Sequence, residues 1–146
     1  MELRFPYRRF DRRGRIVYKP CIPVYLSYRQ KGIWVWPVVD SGAETTVFSS
    51  DLGVELGIDV PSGERRTIKG IGGRGVAFYH PVALLLTNDA GSVRYTTHVG
   101  FTHMLRGLGA SGLLGQTGFF DKFVVTFDRP GLVITVRTRS AKSAGA

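Results

Sequence analysis

Short β-patterned runs separated by turns limit what this chain can fold into more than any other feature. The turns RQKG, NDAG and DRPG each contain glycine, and each joins two runs rich in Val, Ile, Thr and aromatic residues. Glycine makes up 19 of 146 residues, or about 13%, where roughly 7% is usual. Because glycine permits tight turns and weakens helices, the pattern predicts a mostly β domain built from hairpins. The predicted strands cover residues 22–28, 33–39, 82–86, 93–99, 123–127 and 132–136.

Helices are predicted only as short pieces. Residues 49–58 (SSDLGVELGI) combine a serine cap, Leu52 and Leu56 four residues apart, and Gly57 as a stop. Residues 116–121 (QTGFFD) predict a helical turn, and residues 67–78 predict a hairpin with a glycine-dense tip. We therefore expect an all-β fold with one or two short helices.

Length and cysteine content limit the class of protein. At 146 residues the chain has the size of one domain and can bury a core without disulfides. Its single cysteine, Cys21, has no nucleophile motif around it and is interpreted as a small apolar packing residue. The first twenty residues contain no apolar signal region, and no run of 18 apolar residues occurs. We expect a cytoplasmic protein with no membrane span.

Positive charge is concentrated near the two ends of the chain. Residues 1–19 carry seven basic and two acidic side chains, and residues 137–146 carry three basic ones, whereas residues 20–136 are nearly balanced. This predicts a basic N-terminal arm (1–19), one folded domain (20–136) and a basic flexible tail (137–146). Basic ends bind nucleic acid weakly and with strong salt dependence, and they also serve simply as solvated tails.

Several familiar motifs can be set aside. Residues 70–75 (GIGGRG) and 107–112 (GLGASG) fit the dinucleotide pattern G-x-G-x-x-G, but neither has the strand before it and the long helix after it. No phosphate-binding P-loop sequence occurs. His98 and His103 have no cysteine or carboxylate arranged with them as zinc ligands. We expect no metal and no cofactor.

Asp40 is the strongest candidate for a functional residue, because its carboxylate follows an apolar strand. It follows the apolar run IWVWPVV directly and begins the sequence DSGA. Because a buried unpaired carboxylate is costly, Asp40 must be exposed, paired or used. Asp-Ser-Gly is also good turn chemistry in any β protein.

Three motifs in one order resemble the retropepsin-like aspartic proteases, the single-lobed relatives of retroviral protease. They are DSGA (40–43), the glycine hairpin KGIGG (69–73) and LLG (113–115). The resemblance covers residues 22–136, and residues 115–123 look most like the cellular and bacterial members. It implies a single-lobed acid-protease fold, a closed β-barrel with one or two short helices.

The resemblance also implies an aspartic endopeptidase acting on a peptide or protein substrate. Two close carboxylates sharing one proton can activate water and protonate the leaving group. One D-[ST]-G in this chain means that a second Asp40 must come from another copy, so a homodimer is expected. The implied catalytic residues are Asp40, Ser41 and Gly42. The implied substrate-binding residues are Gly42, Ala43, Glu44 and the flap residues Gly70, Ile71, Gly72 and Gly73.

One departure and two rival interpretations accompany this reading. Retroviral members follow the glycine of LLG with arginine, whereas this chain has Gln116, which leaves Glu44 without the expected ion-pair partner. The main alternative is a catalytically silent retropepsin-fold module that binds peptides or scaffolds a partner. A weaker one is an RNA-associated protein that works through its basic ends.

Overall fold

A computed structural model describes residues 1–70, 72–105 and 110–139 of the chain. These residues form thirteen strands and are mostly β, as the sequence predicts. The strands are β1 (Glu2–Pro6), β2 (Arg8–Arg12), β3 (Arg15–Lys19), β4 (Val24–Tyr28), β5 (Lys31–Val35), β6 (Val38–Val39), β7 (Val47–Ser49), β8 (Glu64–Gly70), β9 (Gly73–Asn88), β10 (Gly91–Thr102), β11 (Gly112–Leu114), β12 (Phe123–Asp128) and β13 (Val133–Thr138).

One large sheet forms the body of the domain. Its strands follow the order β5-β4-β9-β10-β7-β11-β6, and β8 pairs separately with β9. The sheet curls into a half-barrel, so that one face encloses the core. A three-stranded sheet, β1-β13-β12, and the hairpin β2-β3 complete the described fold. The all-β prediction is confirmed.

The predicted strand over residues 33–39 is in fact two strands. β5 ends at Val35 and β6 begins at Val38, with Pro37 between them. Proline has no backbone N–H to donate to a ladder, which explains the break. After the break, β6 keeps the antiparallel register of the β4-β5 hairpin through a bridge between Val38 and Cys21, and it pairs with β11 on its other side.

The predicted helix is confirmed, and the predicted helical turn is not. Helix α1 (Ser50–Glu55) has Ser49 as its N-cap, with the Ser49 hydroxyl accepting a 3.4 Å bond from the Asp51 N–H. A single 3₁₀ turn follows at Val60–Ser62. Residues 116–121 form hydrogen-bonded turns instead of a helix, because Gly118 has a φ of +98° that leaves the helical region.

The N-terminal segment adds a strand to the folded body. β1 pairs antiparallel with β13, and Leu3 and Phe5 are only 1% and 3% exposed. The hairpin β2-β3 turns at Arg13 and Gly14, both with positive φ, as two-residue hairpin loops prefer. The division into arm, domain and tail stays a prediction, and the end of the tail, residues 140–146, lies outside the described residues.

The core lies between the curled sheet and the three-stranded sheet. Its fully buried side chains include Phe48, Phe101, Phe119 and Leu114. Cys21 is 3% exposed and unbonded to another cysteine, as a packing residue should be. None of the helices in the described chain has the length and apolar character needed to cross a membrane.

We expect Phe5→Ala to lower the free energy of unfolding by about 3–5 kcal/mol, because the ring is buried against the core. Phe127→Ala is the matched control. Phe127 is 40% exposed and its ring stacks on Phe120, so its removal should cost less, about 1–2 kcal/mol. Urea denaturation of the two variants measures both values. Equal, small losses would show that residues 1–19 are an arm without a structural role.

Candidate active site

Asp40 directly follows β6, and its position is fixed by β11, which lies between β6 and β7. β11 runs parallel to β6, with Leu114 opposite Val39, and antiparallel to β7, with Leu113 opposite Val47. The Asp40 N–H continues the ladder by donating to the Leu114 carbonyl at 3.0 Å. Val39 is buried, so strand alternation directs the side chains of Val38 and Asp40 away from the core. The carboxylate therefore emerges where β6 leaves the sheet.

The DSG turn orients this carboxylate. The Gly42 N–H donates to Asp40 Oδ1 at 2.9 Å, and the Ala43 N–H donates to the Asp40 carbonyl at 3.2 Å. Within the described residues, Asp40 Oδ2 accepts no hydrogen bond. Asp40 is half-buried, while Ser41 and Gly42 are exposed. The carboxylate is thus held on one oxygen and open to a partner on the other.

Gly115 brings the end of β11 directly against this loop. A Cβ on Gly115 would lie 2.7 Å from the Ala43 carbonyl and still closer to that of Thr45. Its N–H donates to Thr46 Oγ1 at 3.1 Å, and Thr46 Oγ1 donates in turn to the Thr117 carbonyl at 2.9 Å. Thr46 has no exposed surface. Gly115 therefore permits a close approach of the two segments, and a buried threonine hydroxyl joins them.

Gln116 contacts the loop that follows β6, residues 40–44, through its side-chain amide. Its Nε2 donates to the Ser41 carbonyl at 3.1 Å, and its backbone N–H donates to the Ala43 carbonyl at 2.8 Å. Glu44 is exposed and makes no ion pair with any described residue. A neutral amide thus ties the residue after β11 to the loop. The retroviral proteases that the sequence resembles carry an arginine at this position.

The hairpin β8-β9 carries the predicted flap. Gly70 is opposite Gly73 at its tip, and a Cβ on Gly70, Gly72 or Gly73 would meet nothing within 4 Å. Gly73 has a φ of +112°, which favours glycine. Ile71, the fourth predicted flap residue, lies outside the described residues. The described glycines of the tip therefore face open space.

Tyr79 connects the base of the β8-β9 hairpin to the segment that follows Asp40. Its hydroxyl lies 2.6 Å from Thr45 Oγ1, and the Arg66 guanidinium lies 4.5 Å from the centre of its ring. Arg66 also bonds Glu64, and these bonds hold the pKa of the Glu64 carboxyl below its usual range. A chain of contacts thus runs from Arg66 on β8 through Tyr79 on β9 to Thr45.

The structure brings some of the predicted site residues together and leaves others apart. Residues 40–44 share one loop, braced by residues 115–117, while the described hairpin tip makes no hydrogen bond to that loop. Sequence reasoning missed Thr46, Tyr79 and the Gln116 amide. Nothing in the run TTVF distinguishes a buried hydroxyl from an exposed one, and Tyr79 is 39 residues from Asp40. In the described ranges, no three His, Cys, Asp or Glu side chains are grouped to hold a metal ion.

Comparison with known proteins identifies the fold. No protein-family model and no curated protein matches the chain. A solved retropepsin-like aspartic protease from Rickettsia conorii matches 93% of this chain and 89% of its own, with a TM-score of 0.57 and 16% identity. The EIAV protease complexed with the inhibitor HBY-793 matches 67% and 82%, with a TM-score of 0.45 and 19% identity. The Rickettsia match shows the fold alone, and the chain has the retropepsin-like fold that its motifs predict.

We expect Gly115→Ala to destabilise the protein by about 1–3 kcal/mol, because the added methyl group meets two backbone carbonyls that cannot turn aside. Gly70→Ala is the matched control. Its methyl group would enter open space, so stability should change by no more than about 0.5 kcal/mol. Chemical denaturation compares the two. Equal stability of both variants would contradict the close approach of β11 to the Asp40 loop.

Proposed function

We propose that this chain is an aspartic endopeptidase that works as a homodimer, with the Asp40 carboxylates of two copies sharing one site. The observation that carries the proposal is the position of Asp40, which leaves β6 beside the end of β11 on a retropepsin-like fold. One carboxylate oxygen is oriented by the Gly42 N–H, and the other is open. Fold alone does not establish activity, so the proposal rests on this geometry together with the fold.

The chemistry requires two carboxylates with different protonation states. At contact distance, two carboxyl groups cannot both ionise, so the pair holds one proton between them. The ionised member takes a proton from the attacking water, and the protonated member gives one to the amide as it is cleaved. Their titration belongs to the pair, and activity should follow a bell-shaped pH profile with an acidic to near-neutral optimum.

A two-fold dimer supplies the second carboxylate at the lowest structural cost. In a two-fold interface a surface meets its own copy, so a loop on the axis faces itself. Ser41 is exposed beside Asp40, and its hydroxyl makes no hydrogen bond with the described residues. In the proposed dimer this hydroxyl bonds across the axis and holds the two loops in register.

The remaining predicted residues receive roles around the substrate. Gly42 leaves room for an extended peptide, and its carbonyl accepts a bond from the peptide backbone. Ala43 and Glu44 line the same cleft. The flap tip, Gly70, Ile71, Gly72 and Gly73, closes over the peptide and excludes water, for which glycine-rich hinges are suited.

The alternative is a retropepsin-fold module that binds peptides without cleaving them. It is favoured by one observation: β1 pairs with β13 of its own chain, so the terminal strands are satisfied within a monomer. A folded monomer would hold a single Asp40 and could not share a proton between two carboxylates. The two functions therefore differ in the oligomeric state at which the protein works.

A cleavage assay decides between them. We expect a mixed peptide library to be cleaved by the wild-type protein between acidic and neutral pH, with specific activity rising with protein concentration as the dimer forms. Asp40→Asn should abolish cleavage while leaving the fold intact, as circular dichroism can check. Absence of cleavage from a folded protein at every pH and concentration would favour the silent module. Cleavage that survives Asp40→Asn would place the site elsewhere.

A further inference from the structure

We propose that a pocket beside Asp40, lined by Arg8 and Lys19, binds an acidic side chain of the substrate and makes this protein selective for peptides with Glu or Asp near the cleaved bond. The proposal deepens the proposed function and rests on it, because the ligand is taken to be a peptide. It assigns a role to the β2-β3 hairpin, which the catalytic geometry does not use.

The pocket lies between the hairpin and the strand that carries Asp40. Its volume is about 270 Å³, and its walls include Arg8, Phe10 and Lys19 from the hairpin, Trp36 and Val38 from the chain leading to Asp40, and Ser111 from the approach to β11. Val38 and Asp40 are two residues apart, on the side of β6 that faces away from the core. The loop that follows Asp40 does not itself line the pocket, but a peptide lying along that loop could place one side chain in it, past Val38.

Two positive charges face the pocket as a like-charged pair. Arg8 and Lys19 are direct partners across the β2-β3 ladder, an arrangement that is unfavourable without an anion nearby. None of the residues lining the pocket is acidic. In the described part of the chain the only salt bridge is Arg66 with Glu64, so neither cation is neutralised by a carboxylate. Among the described residues, this pair is left without a counter-charge.

Aromatic rings hold the guanidinium in place. The Arg8 guanidinium lies 4.5 Å from the Trp36 ring centre and 5.2 Å from that of Phe10, and Lys19 Nζ lies 5.6 Å from the Phe10 ring centre. Stacking on ring faces leaves the in-plane N–H groups of an arginine free to donate. A fixed guanidinium with free donors is suited to bidentate binding of a carboxylate.

The charges of both residues also act on Cys21, another residue of the pocket lining. Cys21 lines the pocket, and burial raises the pKa of its thiol while the charges of Arg8 and Lys19 partly oppose that rise. A carboxylate that enters meets both cations, whereas a lysine or arginine side chain is repelled.

A binding experiment tests the pocket without relying on catalysis. Trp36 forms one wall, so tryptophan fluorescence should report occupancy. We expect acetylated, amidated penta-glutamate to change the fluorescence in a salt-sensitive way and to bind at least about tenfold more tightly than penta-glutamine. Arg8→Glu should abolish the difference, and Arg8→Gln, a milder variant, should reduce it. Arg94→Glu, which makes the same charge change outside the pocket, should leave it intact.

Kinetics then connects the pocket to cleavage. For a peptide that the wild-type protein cleaves, Glu, Gln and Lys are compared at each of three positions on either side of the cleaved bond. We expect one position at which Glu raises kcat/KM about tenfold over Gln, with Lys preferred in Arg8→Glu.

Failure of the pocket proposal and failure of the endopeptidase proposal give different results. Equal binding of penta-glutamate and penta-glutamine, or a preference unchanged by Arg8→Glu, overturns the pocket proposal even if the protein is a protease. Tighter binding of an oligouridylate than of penta-glutamate, lost in the same variant, would overturn it in favour of an RNA site. A protein that discriminates the two peptides but cleaves nothing would retain the acidic-peptide pocket and refute the proposed endopeptidase activity.

Discussion

The close approach of Gly115 to the carbonyls of Ala43 and Thr45 is the constraint on which the candidate site depends. It lets β11 lie between β6 and β7, and the Leu114 carbonyl can then accept the Asp40 N–H. Thr46 and Gln116 secure the same contact from opposite sides, one through a buried hydroxyl and the other through an exposed amide. These bonds fix the backbone of the loop, and the Gly42 N–H then orients the Asp40 carboxylate through one of its oxygens.

Charge is arranged around that carboxylate in a way that a single chain leaves incomplete. Asp40 has one oxygen bonded and one open, and acid–base hydrolysis of an amide needs a second carboxylate close to it. Arg8 and Lys19 form a like-charged pair without a carboxylate among the residues described. A second copy of the chain would supply the second carboxylate, and an acidic substrate would supply the anion that Arg8 and Lys19 lack. Both proposals thus arise from charged groups that lack a partner among the described residues.

Local sequence predicts those parts of the fold that depend on local chemistry. The glycine turns, the Ser49 cap and the order of DSGA, the glycine hairpin and LLG identify the β architecture and the retropepsin-like fold. Pro37 and Gly118 are local signals too, and they break a predicted strand and an expected helical turn. Positions set by tertiary contacts were not predictable in the same way, because β1 pairs with a strand more than 120 residues away. The pocket likewise joins Arg8, Trp36 and Ser111, whose proximity no spacing reveals.

Mixing wild-type subunits with Asp40→Asn subunits tests the central claim, a site shared between two copies, most directly. At a fixed total concentration that keeps the protein dimeric, subunits are allowed to exchange, and cleavage is measured as the wild-type fraction is varied. A shared site predicts that mixed dimers are inactive, so activity falls with the square of the wild-type fraction. Activity that falls in direct proportion to that fraction would mean that each subunit holds a complete site, and the shared Asp40 pair would be wrong.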